Sequence, residues 1–198
     1  IYGLLGENGA GKTTLINIFT GQIAPTSGDV SVLDVDPVES PVESRVGVGV
    51  LPEKEAPLKN LTPVEQFQFV GEVRGMSSIS VKQQTEVWLD RLELVEKRDT
   101  LNRELSRGQQ QKVMFASAFL HSPALVFIDE PLVNLDPRMQ NIIKEFLKEY
   151  NSKGNTIMLS THYVEAAVEL CDTIGVMQEG SLIAEGSSEE IGSVDAVE

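Results

Sequence analysis

The 198-residue chain has a single cysteine, Cys171, so it has no internal disulfide framework, and its lone thiol fits a reducing compartment. No apolar run approaches the ~20 residues that a membrane-crossing helix requires. The start lacks the basic residues and apolar core of a secretory signal. Basic residues are scarce: 16 Lys and Arg stand against 30 Asp and Glu, for a formal net charge of −14. This balance argues against non-specific nucleic-acid binding, which needs a cationic face to displace counterions. The deficit is sharpest from Gly154 to Glu198, with nine acidic residues and no Lys or Arg. That stretch reads as a solvated acidic surface, with adaptation to high salt as the alternative. Aromatics make up only 6% of the chain, yet 41% is hydrophobic and mean hydropathy is −0.07, which excludes a wholly disordered chain. The length corresponds to one domain, or to one with a nested subdomain. Ile1-Tyr2-Gly3-Leu4-Leu5 reads as the interior of something longer, so a preceding N-terminal segment is expected.

Ile1 to Leu5 is an apolar run of strand length, and Thr14 to Thr20 reads as a helix stopped by Gly21. The alternation of Val30 and Val32 predicts a short strand, and Arg45 to Leu51 predicts another, stopped by Pro52. The middle of the chain changes character. Thr62, Pro63 and Glu65 form a capping-box start for a helix reaching Arg74. A second helix is predicted from Ser80 to about Leu94, with Val81, Val87, Trp88 and Leu92 near one apolar stripe. A third begins near Ser106 and ends before Pro123. Ala124 to Ile128 is continuously apolar, as in strands covered on both faces. Pro137–Tyr150 and Tyr163–Leu170 then read as helices, and Asn155–Ser160, Thr173–Met177 and Leu182–Ala184 as strands. The last dozen residues are expected to fray. This alternation predicts an α/β fold with a largely parallel sheet, interrupted by a helical stretch over about 54–123.

Three motifs carry chemistry. Gly6-x4-Gly11-Lys12-Thr13 has the phosphate-loop spacing. Its glycines let backbone N–H groups face phosphate oxygens, and the following helix offers its N-terminus to the same anion. Lys12 would reach the β- and γ-phosphates and Thr13 would offer a hydroxyl to Mg²⁺. Second, the strand Leu125–Ile128 runs into Asp129 and Glu130. That puts a metal-binding carboxylate, and beside it one able to polarise a water, at the carboxyl edge of the sheet. Third, Leu105-Ser106-Arg107-Gly108-Gln109 opens a helix with Ser106 as N-cap, which by itself could be an ordinary cap.

In this order, the three motifs resemble those of the nucleotide-binding domain of an ABC (ATP-binding cassette) ATPase, the third resembling its LSGGQ signature. The resemblance covers nearly the whole chain. It implies a P-loop NTPase fold with a RecA-like, largely parallel sheet. The core would span 1–53 and 124–198, with an all-helical signature subdomain at 54–123. It implies ATP and Mg²⁺ as cofactors, with nucleotide contacts from Asn8, Gly9, Ala10, Gly11, Lys12, Thr13 and Thr14. Ser106, Gly108 and Gln109 would face the γ-phosphate held by another subunit. Asp136, in Leu132-Val133-Asn134-Leu135-Asp136, takes the D-loop position at the dimer interface. Metal contacts would come from Thr13, Asp129 and Glu53. Glu130 takes the position of the catalytic carboxylate, and His162, in Ser160-Thr161-His162, matches the switch histidine that contacts the γ-phosphate.

Some positions depart from the family's pattern. Glu53 stands where the family's Q-loop has glutamine, which changes the electrostatics there. Arg107 replaces the first signature glycine, and Asn134 stands where a small residue is usual. The aromatic that stacks on adenine lies upstream of the phosphate loop in the family, before this chain begins. His121 matches nothing and reads as a surface or loop residue; Cys171 reads as a small buried hydrophobe and Trp88 as core of the helical stretch.

The resemblance implies an ATPase subunit of a membrane transporter, cytoplasmic and peripheral on the inner face of the cell membrane. Its partners would be a transmembrane permease subunit and a second ATPase subunit bound head-to-tail. Phe69-Val70-Gly71-Glu72-Val73-Arg74-Gly75-Met76 and the Leu-Pro-Glu loop look like those of multidrug and ABC-2-type exporters. The alternative is a non-transport member acting on ribosomes or DNA, which shares all three motifs. Ribosome-acting members usually carry two cassettes and basic linkers, and DNA-repair members split the cassette around a long coiled coil; neither pattern is present. A non-hydrolysing regulatory cassette is disfavoured because Lys12, Asp129, Glu130 and His162 are all present.

Overall fold

Apolar runs without polar alternation become strands buried on both faces. In the computed structural model, which describes residues 1–54 and 56–193, these are β1 (Tyr2–Leu5), β2 (Val48–Leu51), β3 (Leu125–Asp129), β4 (Thr156–Thr161) and β5 (Thr173–Gln178). They run parallel, and β6 (Ser181–Ser187) closes the edge antiparallel to β5. The order in the sheet is β2-β3-β4-β1-β5-β6. Every parallel neighbour is reached by a crossover, which explains the helices on the faces.

Helix α1 (Lys12–Phe19) follows β1 directly. Between β2 and β3 there is no strand among the described residues. Instead come α2 (Pro63–Val73), α3 (Ser78–Arg91) and α4 (Arg107–Phe119). The capping box of α2 is present: Glu65 N–H donates to Thr62 Oγ1 at 3.2 Å, and Thr62 N–H to Glu65 Oε2 at 2.8 Å. Helix α5 (Pro137–Ser152) buries Met139, Ile143, Phe146 and Leu147, one stripe at helical spacing. Helices α6 (Val164–Leu170) and α7 (Ser188–Ser193) complete the chain.

The structure departs from the sequence expectations in several places. Val30 and Val32 form no strand. Val32 makes only an isolated bridge to Val35, because Leu33 and Asp34 between them turn the chain with φ of 51° and 64°. The strand expected from Arg45 starts at Val48, since Glu43–Arg45 coil into a 3-10 turn. Val87 is 51% exposed and lies off the buried stripe of α3. Frayed ends were expected for the last dozen residues, but Ser188–Ser193 is helical; 194–198 lie outside the described residues.

Trp88 is buried, and it is not confined to the helical stretch. Its ring lies 4.9 Å from Phe146 of α5 at 70° and 6.0 Å from Phe115 of α4. Phe119 meets Phe146 edge-on at 4.9 Å. These aromatic contacts join α3 and α4 to α5 in one continuous core.

Candidate functional site

The parallel register places the carboxyl ends of β1, β3 and β4 side by side. Leu5 pairs with Thr161, and Asp129 with Ser160. The turn leaving β1 therefore faces the two carboxylates that end β3. Gly6 cannot carry a side chain there: a Cβ would lie 2.4 Å from the Met177 carbonyl oxygen. Gly9 and Gly11 adopt φ of 88° and 104°, the left-handed region that turns the loop into α1.

Lys12, only 6% exposed, lies folded under this loop. Its Nζ donates to the carbonyls of Gly6 at 2.7 Å and Glu7 at 3.1 Å. Thr13 Oγ1 donates to Asp129 Oδ2 at 2.7 Å. The other oxygen of Asp129 accepts from the Ser160 hydroxyl. Glu130 has a left-handed backbone, φ 53°, and its carboxylate is tied to β4. Its Oε1 accepts from the His162 backbone N–H at 3.1 Å and meets His162 Nδ1 at 2.6 Å.

These groups line a cleft of about 380 Å³ formed by Asn8, Gly9, Gly11, Lys12, Thr13, Thr14, Glu53, Lys54, Asp129 and Glu130. Ala10 lies beneath it, with its carbonyl accepting from Gly180 N–H at 2.9 Å. One hydroxyl and one carboxylate converge at Thr13 and Asp129, a donor set suited to a hard cation that takes its remaining ligands from phosphate and water. Glu53 is at the rim, exposed, with its carboxylate 3.9 Å from Lys54.

The profile of the ABC transporter family matches residues 1–133. The chain belongs to this family of ATP-binding proteins. It is 34% identical over 191 residues to an uncharacterized ABC transporter ATP-binding protein of Methanocaldococcus jannaschii, covering 96% of this chain and 68% of that one. It is 36% identical over 190 residues to the Nod factor export ATP-binding protein I of a Bradyrhizobium species, covering 96% of this chain but only 62% of that protein. A solved ATP-binding subunit of an ABC transporter superposes with a TM-score of 0.89 at 30% identity, over 96% of this chain and 79% of that one. The fold is thus that of the P-loop ABC ATPases, and membership implies ATP as the nucleotide.

Ser106, Gly108 and Gln109 do not line this cleft. Ser106 and Gln109 cap α4 reciprocally: Gln109 N–H donates to Ser106 Oγ at 3.3 Å, and Ser106 N–H to Gln109 Oε1 at 3.0 Å. Gly108 packs against the backbone of Asn134. Asp136 caps α5 through Met139 N–H at 3.0 Å, a bond that holds its carboxyl below the usual range. Gly108 thus lies against the segment that leads to Asp136, and none of Ser106, Gly108, Gln109 and Asp136 lines the cleft.

Two features of this ABC domain were not singled out from sequence. Ser160 and Thr161 anchor Asp129 and Glu130; their place just before His162 was the available signal. Lys54 also lines the cleft, and no motif in the sequence marks it. His121 lies in the turn after α4, a loop position as expected, but it is half-buried and not on the open surface. The end of α4 tucks it against β2, where its ring Nε2 meets the Val48 carbonyl at 3.2 Å. Burial, then the Arg74 charge, pushes its pKa down to about 4 against the pull of that carbonyl.

Proposed function

We propose that this chain binds MgATP in the cleft and hydrolyses it to drive a membrane transporter of the multidrug or ABC-2 exporter kind. The observation that carries this reading is the placement of Glu130. Its carboxylate opens onto the same cleft as Lys12, Thr13 and Asp129 and is held there by His162. The name of the Bradyrhizobium relative, a Nod factor export protein, supports the direction of transport.

Lys12 exchanges its loop carbonyls for phosphate oxygens when nucleotide enters. Mg²⁺, held by Thr13 and Asp129 with Glu53 at the rim, would neutralise charge on the transferring phosphoryl group. Glu130 accepts the proton of the attacking water, so that the water oxygen bonds to phosphorus as ADP leaves. With its Nδ1 on Glu130, His162 turns Nε2 towards the γ-phosphate.

Asn8, Gly9, Ala10, Gly11 and Thr14 shape the phosphate cradle. The separation of Ser106, Gly108 and Gln109 from this cleft supports a head-to-tail dimer, in which a second ATPase subunit presents its signature to the nucleotide and Asp136 lies at the interface. The core, 1–53 and 124–198, carries the nucleotide. The helical part, 54–123, docks on a transmembrane permease at the inner face of the membrane, with the chain on the cytoplasmic side. No helix among the described residues is long and apolar enough to cross a membrane itself.

Glu130→Gln tests the reading. It should retain ATP binding, lose steady-state hydrolysis and accumulate an ATP-dependent dimer on size-exclusion chromatography. Unchanged hydrolysis would remove Glu130 from the role of base.

A further inference from the structure

Glu130 is only 7% exposed, and both its carboxylate oxygens are already engaged by β4 and the turn that follows it. The His162 side chain and backbone take Oε1. The second oxygen, Oε2, lies 3.2 Å from Thr161 Oγ1. Thr161 is 3% exposed and ends β4 in register with Leu5, the last strand residue before the phosphate loop. Its hydroxyl also receives a bond: Tyr163 N–H donates to Thr161 Oγ1 at 3.1 Å. A hydroxyl has one proton, and a carboxylate only accepts. With Tyr163 supplying the bond that the hydroxyl accepts, the Thr161 proton is directed to Glu130 Oε2.

The preceding residue does the same for the preceding carboxylate. Ser160, fully buried, donates to Asp129 Oδ1. Two consecutive hydroxyls of β4 thus orient two consecutive carboxylates of β3. Asp129 follows the strand; Glu130 still donates its backbone N–H to the Ser160 carbonyl at 3.1 Å, but at φ 53° it turns out of the strand. The direction of its carboxylate is set by the bonds that the side chain itself makes.

We propose that Thr161 is a positioning residue for hydrolysis: its hydroxyl, oriented by Tyr163 N–H, holds Glu130 Oε2 so that the carboxylate presents one fixed face to the attacking water. This rests on the reading of Glu130 as the base. Thr161 is buried and does not line the cleft, so it acts on turnover and not on affinity. Misplacing a catalytic group by a fraction of an ångström lowers rate while leaving substrate binding intact.

The test compares Thr161→Val, which keeps the volume and removes the hydroxyl, with Thr161→Ser, which keeps the hydroxyl. ATP affinity is measured by equilibrium binding, and kcat and KM by phosphate release. For Thr161→Val, kcat should fall about 10-fold, with KM and ATP affinity unchanged. Thr161→Ser should retain most of the rate. In the Glu130→Gln background, Thr161→Val should have no further effect on the residual rate, because the group it positions is gone. Wild-type kcat in Thr161→Val would overturn the proposal. So would an equal loss in Thr161→Ser, which would assign the effect to packing of the methyl group, or a parallel loss of ATP affinity, which would make the role structural. Failure of the underlying base reading is seen separately, as undiminished hydrolysis in Glu130→Gln alone.

Discussion

Gly108 packs so closely on the carbonyl of Asn134 that a Cβ built on it would lie 2.8 Å from that oxygen. The second residue of α4 therefore sets the spacing between signature and D-loop within one chain. The obstacle is backbone, so it cannot swing aside as a side chain would. Gly108→Ala gains ~1 kcal/mol of helix propensity but meets an overpacking cost of about 1–3 kcal/mol. The net expectation is lower stability, read as a reduced urea midpoint, together with slower hydrolysis. A raised midpoint would show that the contact yields easily.

Ser160 donates to the Asp129 oxygen that Thr13 leaves free. Removing such an outer partner typically weakens metal binding by about 10- to 100-fold. Ser160→Ala should raise the Mg²⁺ concentration for half-maximal ATPase activity by about 10-fold or more, a shift read from a Mg²⁺ titration at fixed ATP. An unchanged midpoint would leave Asp129 held by Thr13 alone.

His121 has its pKa lowered to about 4 by burial and by the Arg74 charge. The folded state thus prefers the neutral ring. Its contribution to stability is fully present above the unfolded pKa of about 6.5 and is lost as pH falls towards 4. His121→Gln should therefore have a shallower decline of unfolding free energy between these values than the parent chain, measured by urea unfolding at a series of pH values. Parallel declines would remove His121 as a source of acid sensitivity.

Trp88 contacts Phe115, Phe119 and Phe146, linking α3 to α4 and α5. Trp88→Ala should cost about 3–5 kcal/mol of stability. Because the cluster spans both parts of the chain, unfolding should stay a single transition at lower denaturant. Two separated transitions would show that the helical part is held independently.

The motifs that meet at the cleft were legible because their chemistry is local. A phosphate loop needs glycines at fixed offsets from a lysine and a hydroxyl, and a strand ending in two carboxylates needs only apolar residues before them. The cap of α2 was likewise written in Thr62, Pro63 and Glu65. Val30 and Val32 misled because alternation over three residues is compatible with a turn, and Leu33 and Asp34 made one. Ser122 and Pro123 signalled the turn that holds His121, but its partial burial depends on how the end of α4 lies against β2 and was not legible.

The sequence by itself determined the family, the α/β character with its helical interruption, and the identity of Lys12, Thr13, Asp129, Glu130 and His162 as a set. Those follow from short-range spacing, which tertiary contacts do not alter. The structure alone decided which atoms face one another: Thr13 on Asp129, Ser160 and Thr161 on the two carboxylates, Gly108 on Asn134, Trp88 on Phe146. Each of these pairs joins segments far apart in the chain, and their contact is set by strand order, parallel register and helix packing, none of which is encoded in the spacing of any one motif.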